Sequence, residues 1–177
     1  YATLAALRVA KSQVEAGKVD EAIVTLRGIQ AEPTLQPLVN ERLAQLLNAG
    51  GKHDEALKLL AGDDGSAGLE LRGDALFASG KRDEARDAYA KASTLAPDDA
   101  DIASEAAQAR AFADDRRLFD AQAVALLQRA LRLKPDHQRA RWFLGIAQRQ
   151  AGDNAAAAAT WEPLLAQVDT ATATSLR

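Results

Sequence analysis

Two histidines, three aspartate pairs and one glycine-rich stretch are the residues of this 177-residue chain whose types and spacing could do chemistry. His53 stands before Asp54 and His137 after Asp136, neighbours that a proton relay or a metal site would use. A metal needs several converging donors, and a relay needs a third group to orient the ring; neither spacing supplies one. Both histidines therefore read as solvated turn residues. The pairs Asp63-Asp64, Asp98-Asp99 and Asp114-Asp115 fall at loops or helix starts, where capping accounts for them. Gly62, Gly65 and Gly68 lack the spacing of a dinucleotide fingerprint and follow no strand, so they read as a connecting loop. The absence of cysteine removes thiol nucleophiles, disulfides and thiolate-bound metals. No catalytic residue, cofactor or metal is expected.

The elements that hold these residues are helices. The chain has 41 Ala and 24 Leu against 11 Val plus Ile and 8 aromatics, a mix rich in helix formers and poor in strand formers. Sandwiches and doubly wound sheets need the Val and Ile runs that are missing, so the expected fold is all-α. A hydrophobic share of 47% is enough to bury a core. With no apolar run of about 18 residues, no part is expected to contact a membrane. The chain starts at Tyr1 and has no Met, so any signal or anchor of a natural parent is expected outside it.

Four glycines share a context: Gly17-Lys18-Val19-Asp20-Glu21-Ala22, Gly51-Lys52-His53-Asp54-Glu55-Ala56, Gly80-Lys81-Arg82-Asp83-Glu84-Ala85 and Gly152-Asp153-Asn154-Ala155-Ala156-Ala157. Their separations are 34, 29 and 72 residues, the last being two periods of 34 and four more. One further repeat with a lengthened turn therefore lies between Gly80 and Gly152, which makes five units of two helices each. The expected bounds are about 3–36, 37–65, 66–99, 100–137 and 138–171, forming one array over 1–177. Asp20, Asp54 and Asp83 are expected to cap the second helix of their units, with Glu21, Glu55 and Glu84 favouring its positive end.

The unit from Ser66 to Asp99 has Gly73 eighth, Ala85 twentieth, Tyr89 twenty-fourth, Ala92 twenty-seventh and Pro97 thirty-second. The unit from Gln138 puts Gly145, Ala157 and Trp161 in the same slots, and the first two units place Ala10, Ala22 and Leu26, then Ala44, Ala56 and Leu60. Ala123, Leu127, Ala130 and Pro135 keep the register, after an insertion at Ala113-Asp114-Asp115-Arg116-Arg117-Leu118. Small residues at eight and twenty let antiparallel helices approach, and a large one at twenty-four fills the space beside them. In period and slots the chain resembles the tetratricopeptide repeat (TPR) family.

That resemblance implies a right-handed superhelix whose first helices line a concave groove for a protein or peptide. Leu7, Lys11, Glu41, Gln45, Glu70, Asp74, Phe77, Gln108, Trp142, Ile146 and Arg149 would face it. The chaperone-type clamp for C-terminal carboxylates uses Lys, Asn and Arg at set groove positions. Position nine here reads Lys11, Gln45, Asp74, Gln108 and Ile146, which disfavours that ligand. A TPR array usually closes with an extra helix; Thr170 to Arg177 would be its first turns. A partner or a second copy would then cover Leu164, Leu165 and Val168.

Charge is uneven. The net charge is −3, yet Arg129, Arg132, Lys134, Arg139, Arg141 and Arg149 crowd one stretch with only Asp136 among them. Beside Trp142 and Phe143 this stretch reads as a groove for an acidic or amphipathic peptide, a nucleic-acid surface or a solvated face; nucleic acid is the least favoured.

Tyr1 to about Ala92 is similar to the periplasmic TPR domain of the YfgM family, an ancillary partner of the Sec translocon. Leu4-Ala5-Ala6-Leu7, Val14-Glu15-Ala16-Gly17-Lys18 and Leu71-Arg72-Gly73-Asp74-Ala75-Leu76 carry the likeness. Tyr89 to Arg177 is similar to the TPR domain of the CcmI family, which holds apocytochrome c for haem attachment. Leu126-Leu127-Gln128-Arg129-Ala130-Leu131, Arg141-Trp142-Phe143-Leu144-Gly145-Ile146-Ala147 and Trp161-Glu162-Pro163-Leu164-Leu165 carry it. Three origins are open: a natural bacterial envelope protein, an engineered protein joining TPR segments of two bacterial parents across Tyr89 to Pro97, or the accessory domain of an enzyme. All three imply binding rather than turnover by this chain.

Overall fold

The computed structural model describes residues 2–165, and within them the secondary structure is helical throughout, with no strand. Ten helices follow in order: α1 (Ala2–Glu15), α2 (Val19–Arg27), α3 (Gln36–Ala49), α4 (His53–Leu59), α5 (Ser66–Ala78), α6 (Arg82–Leu95), α7 (Ala100–Ala113), α8 (Ala121–Leu133), α9 (Gln138–Gln150) and α10 (Asn154–Leu165). The all-α expectation holds. None of these helices is long and apolar enough to cross a membrane. Val168 and Thr170 to Arg177, where the sequence places a closing helix, lie outside the described residues.

The four repeated glycines end helices by one device. Gly17, Gly51, Gly80 and Gly152 have φ of 75°, 74°, 76° and 85°, the left-handed region that costs an L side chain strain. A Cβ at any of them would meet nothing within 4 Å, so the requirement is conformational and not steric. The amide after each glycine reaches back across the turn: Lys18 N–H to Gln13 O at 2.8 Å, Lys52 to Leu47 at 2.8 Å, Lys81 to Leu76 at 2.9 Å and Asp153 to Gln148 at 2.9 Å. With the shorter bond from each glycine amide, this is the Schellman termination.

The expected caps need correction. Lys18 and Lys52 occupy the cap positions of α2 and α4 and give no side-chain cap. Asp20, Asp54 and Asp83 lie inside the first turns, because each second helix starts one residue earlier than the aspartate. They serve the helix dipole there together with the following glutamates. Side-chain caps occur where the acid stands two places earlier or after a longer link. Asp99 Oδ1 accepts from Asp101 and Ile102 N–H, Asp120 from Ala123 at 2.9 Å, and Asp153 from Ala156 at 2.9 Å.

The chain divides into two compact units, Tyr1–Ala92 and Ser93–Arg177. In the first, Ala10, Ala22, Leu26, Ala44, Leu47, Ala56 and Leu60 form a buried cluster drawn from α1 to α4 and the residue after it. In the second, Ala103, Ala107, Ala123, Leu127, Ala130, Ala140 and Leu144 do the same for α7, α8 and α9. The alanines of the twentieth slot are sealed: Ala22, Ala56, Ala85 and Ala123 are 0% exposed and Ala157 is 2%. Large partners close over small ones. A Cβ at Gly73 would stand 2.8 Å from the Tyr89 ring, and one at Gly145 would stand 2.1 Å from Trp161 Nε1.

The insertion is a tied loop between α7 and α8. Arg110 binds Asp120 through Nε and Nη2 at 2.7 to 2.8 Å, which raises the guanidinium pKa and lowers that of the carboxyl. Gln150 of α9 donates to Arg117 O at 3.0 Å and accepts from Phe119 N–H at 3.1 Å. Arg117, at φ 54°, lies over the Phe112 ring at 5.5 Å. Phe119 and Phe112 both meet Phe143, at 5.5 and 6.1 Å.

Candidate functional site

Four of the expected groove residues converge in the first unit. Glu41 and Gln45 of α3 and Glu70 and Asp74 of α5 line one pocket of about 540 Å³. A spacing of about one helical turn puts each pair on one helix face, and Asn48 Nδ2 ties α3 to α5 by donating to Leu71 O at 2.9 Å. Arg42, Asn48, Ala49, Ala67, Leu71 and Ala78 complete the walls with His53. His53 is not the solvated turn residue that its neighbours in sequence imply. It is half-buried at the start of α4, its Nδ1 3.4 Å from Asn48 Oδ1, and it belongs to the pocket. The fold brings it there because only three residues, Gly50, Gly51 and Lys52, separate α3 from α4.

Three carboxylates, one guanidinium and one imidazole line the pocket. Glu41 is held above the usual carboxylate range, first by burial and then by the negative charge of Asp63, with Arg42 pulling the other way. Asp74 Oδ1 accepts from the Tyr89 hydroxyl at 2.5 Å, which fixes the carboxylate against α6. Phe77 is half-buried on the same helix, and Lys11 is exposed on α1, 3.8 Å from Glu15. Leu7 packs on the core cluster.

The second unit holds the remaining candidates. Gln108 on α7 and Ile146 on α9 are half-buried, and Arg149 is exposed near the end of α9. Trp142 is 51% exposed and stacks on Trp161 at 5.3 Å between ring centroids. Trp161 Nε1 donates to Trp142 O at 3.0 Å.

Two expectations about this unit change. His137 is not solvated but 5% exposed, and its Nδ1 accepts from Ala140 N–H at 3.2 Å, capping α9. Its Nε2 lies 3.0 Å from Asp101 Oδ1 on α7. The basic stretch is also less naked than its local sequence implies. Glu105 of α7, more than thirty residues away, pairs with Arg139 at 2.8 Å, and Arg129 is bonded to Ser93. Arg141 Nη2 donates to Pro135 O. Among the described residues no group of His, Cys, Asp and Glu could hold a metal ion.

Residues 1–111 match the tetratricopeptide repeat-like domain family, and residues 107–167 match a tetratricopeptide repeat family. The chain belongs to the TPR family. None of the curated proteins matches it. Among solved structures, a crystal structure of MamA superposes with a TM-score of 0.71 at 18% identity, covering 87% of this chain and 91% of that one. MamA from Desulfovibrio magneticus RS-1 gives 0.69 at 18% identity, with 92% and 93% covered. A thermophilic TPR protein of Thermus thermophilus gives 0.69 at 19%, with 98% and 95% covered. At these identities the likeness is one of fold, and the fold class is that of the all-α TPR solenoid.

Proposed function

We infer that the chain is a non-enzymatic scaffold that binds an extended peptide or protein segment along the first helices of its repeats. The pocket between α3 and α5 carries this reading, because it gathers Glu41, Gln45, Glu70 and Asp74 from two successive first helices. TPR proteins in general are interaction scaffolds, which agrees with it. An array of extended decapeptides, probed with the wild type and with Gln45→Ala/Glu70→Ala, is the test. The expected result is a set of peptides bound by the wild type and lost in an equally stable variant. A wild type that binds no peptide above background overturns the reading.

The finer origin is an envelope one. Residues 1–92 are like the YfgM-type domain and residues 89–177 like the CcmI-type domain. A join of TPR segments from two bacterial parents would fall in the Tyr89 to Pro97 stretch, where the sequence changes accent. Titration of the full chain with unfolded apocytochrome c tests the second half. Saturable binding weakened by Ile146→Ala supports a retained CcmI-like role, and no binding removes it.

A further inference from the structure

The pocket of the first unit is lined by more acidic than basic side chains. Three lining side chains, Glu41, Glu70 and Asp74, are carboxylates and one, Arg42, is a guanidinium. Arg42 is exposed and its Nη1 is turned to the Gln45 side-chain oxygen at 3.3 Å. Glu41 is half-buried, and its ionised form is disfavoured first by that burial and then by Asp63, against a partial offset from Arg42. A positive charge brought between α3 and α5 offsets both the burial and the repulsion. The Tyr89 hydroxyl bond keeps Asp74 aimed before any ligand arrives, which spares part of the ordering cost. Leu71, with alanines on the walls beside it, gives an apolar bed of the kind a long aliphatic stem covers while its charged head reaches carboxylates. At about 540 Å³ the space is in the range of ordinary ligand pockets, roughly 300 to 1,000 Å³.

We propose that this pocket selects a lysine or arginine side chain of the bound segment, held between Glu41 of α3 and Glu70 and Asp74 of α5. The proposal rests on the groove being a peptide site and adds the chemistry of its occupant. Specificity then comes from the matched charge, and segments with glutamate or aspartate at that point are rejected.

The test uses fluorescein-labelled decapeptides chosen from the array on the wild type, each remade with its lysine or arginine replaced by norleucine. Anisotropy titrations are run at about 0.05 M and 0.5 M salt. Binders enriched in lysine or arginine at one position are expected, with a loss of about tenfold on replacement by norleucine at the lower salt, the scale of one charge-assisted hydrogen bond. In Glu41→Gln/Glu70→Gln, whose thermal melt confirms folding and whose Asp74 to Tyr89 bond is untouched, the difference is expected to shrink below about twofold while the norleucine peptide still binds. Binders with no basic enrichment, or a preference that survives in the variant, overturn the proposal and leave peptide binding standing. An array with no binders overturns both.

Discussion

The indole of Trp161 occupies the space in which a side chain at position 145 would begin: Nε1 would stand 2.1 Å from a Cβ there, and the same nitrogen donates to Trp142 O at 3.0 Å. The absence of a side chain on α9 is thus what lets α10 close on it. Gly145→Ala should destabilise the protein by about 1 to 3 kcal/mol through overpacking. Helix propensity alone would stabilise it by about 1 kcal/mol, so the sign separates the two effects. A urea titration reads it directly, and an unchanged or higher midpoint refutes the packing.

Gly80→Ala probes conformation without packing, since its Cβ meets nothing while φ is 76°. The expected cost is about 1 to 2 kcal/mol, the penalty of a left-handed alanine. Denaturant midpoints of the variant and the parent, measured side by side, check it.

Glu41 gives a pH signature. Its folded-state pKa is raised, so its contribution to stability is fully present below the unfolded value, about 4.3, and falls as pH rises through the folded one. Glu41→Gln removes that loss. The variant should melt higher than the wild type at pH 7 and converge with it near pH 4. Equal melting temperatures at pH 7 would count against a strained carboxylate in the pocket.

Asp120 runs the opposite way. Its pKa is lowered, chiefly by Arg110, so its contribution is present above about pH 4 and is lost as pH falls through the depressed value. Asp120→Asn should flatten the acid limb of the stability curve. Because the side chain is 49% exposed, solvent screening keeps the effect small, and it should fade further in high salt.

His137→Ala should cost about 1 to 2 kcal/mol by leaving Ala140 N–H without its cap. His137→Asn, which can present an oxygen to the same amide, should cost less. Hydrogen exchange at Ala140 distinguishes them: faster exchange in the alanine variant alone is expected, and equal exchange in both contradicts the cap.

The helical class, the Schellman glycines and the small slots are all legible in the residues around Gly17, Gly51, Gly80 and Gly152, because a positive φ and a 34-residue period write themselves into residue type and spacing. The caps differ from expectation by two residues, since the link after the glycine is shorter than an aspartate cap requires. His137 and Arg139 differ for another reason. Asp101 and Glu105 come to them from α7 across more than thirty residues, and no local pattern shows such an approach. His53 enters the pocket by a local route, the short turn that returns α4 beside α3.

Photo-crosslinking with a benzophenone-bearing decapeptide selected on the wild type, followed by mass-spectrometric mapping, tests peptide binding in the first unit most directly. Adducts on the pocket faces of α3 and α5, around Glu41, Gln45, Glu70 and Asp74, are predicted, with competition by the unlabelled peptide. Adducts confined to α2, or spread without competition, would contradict the assignment of this groove as the binding site.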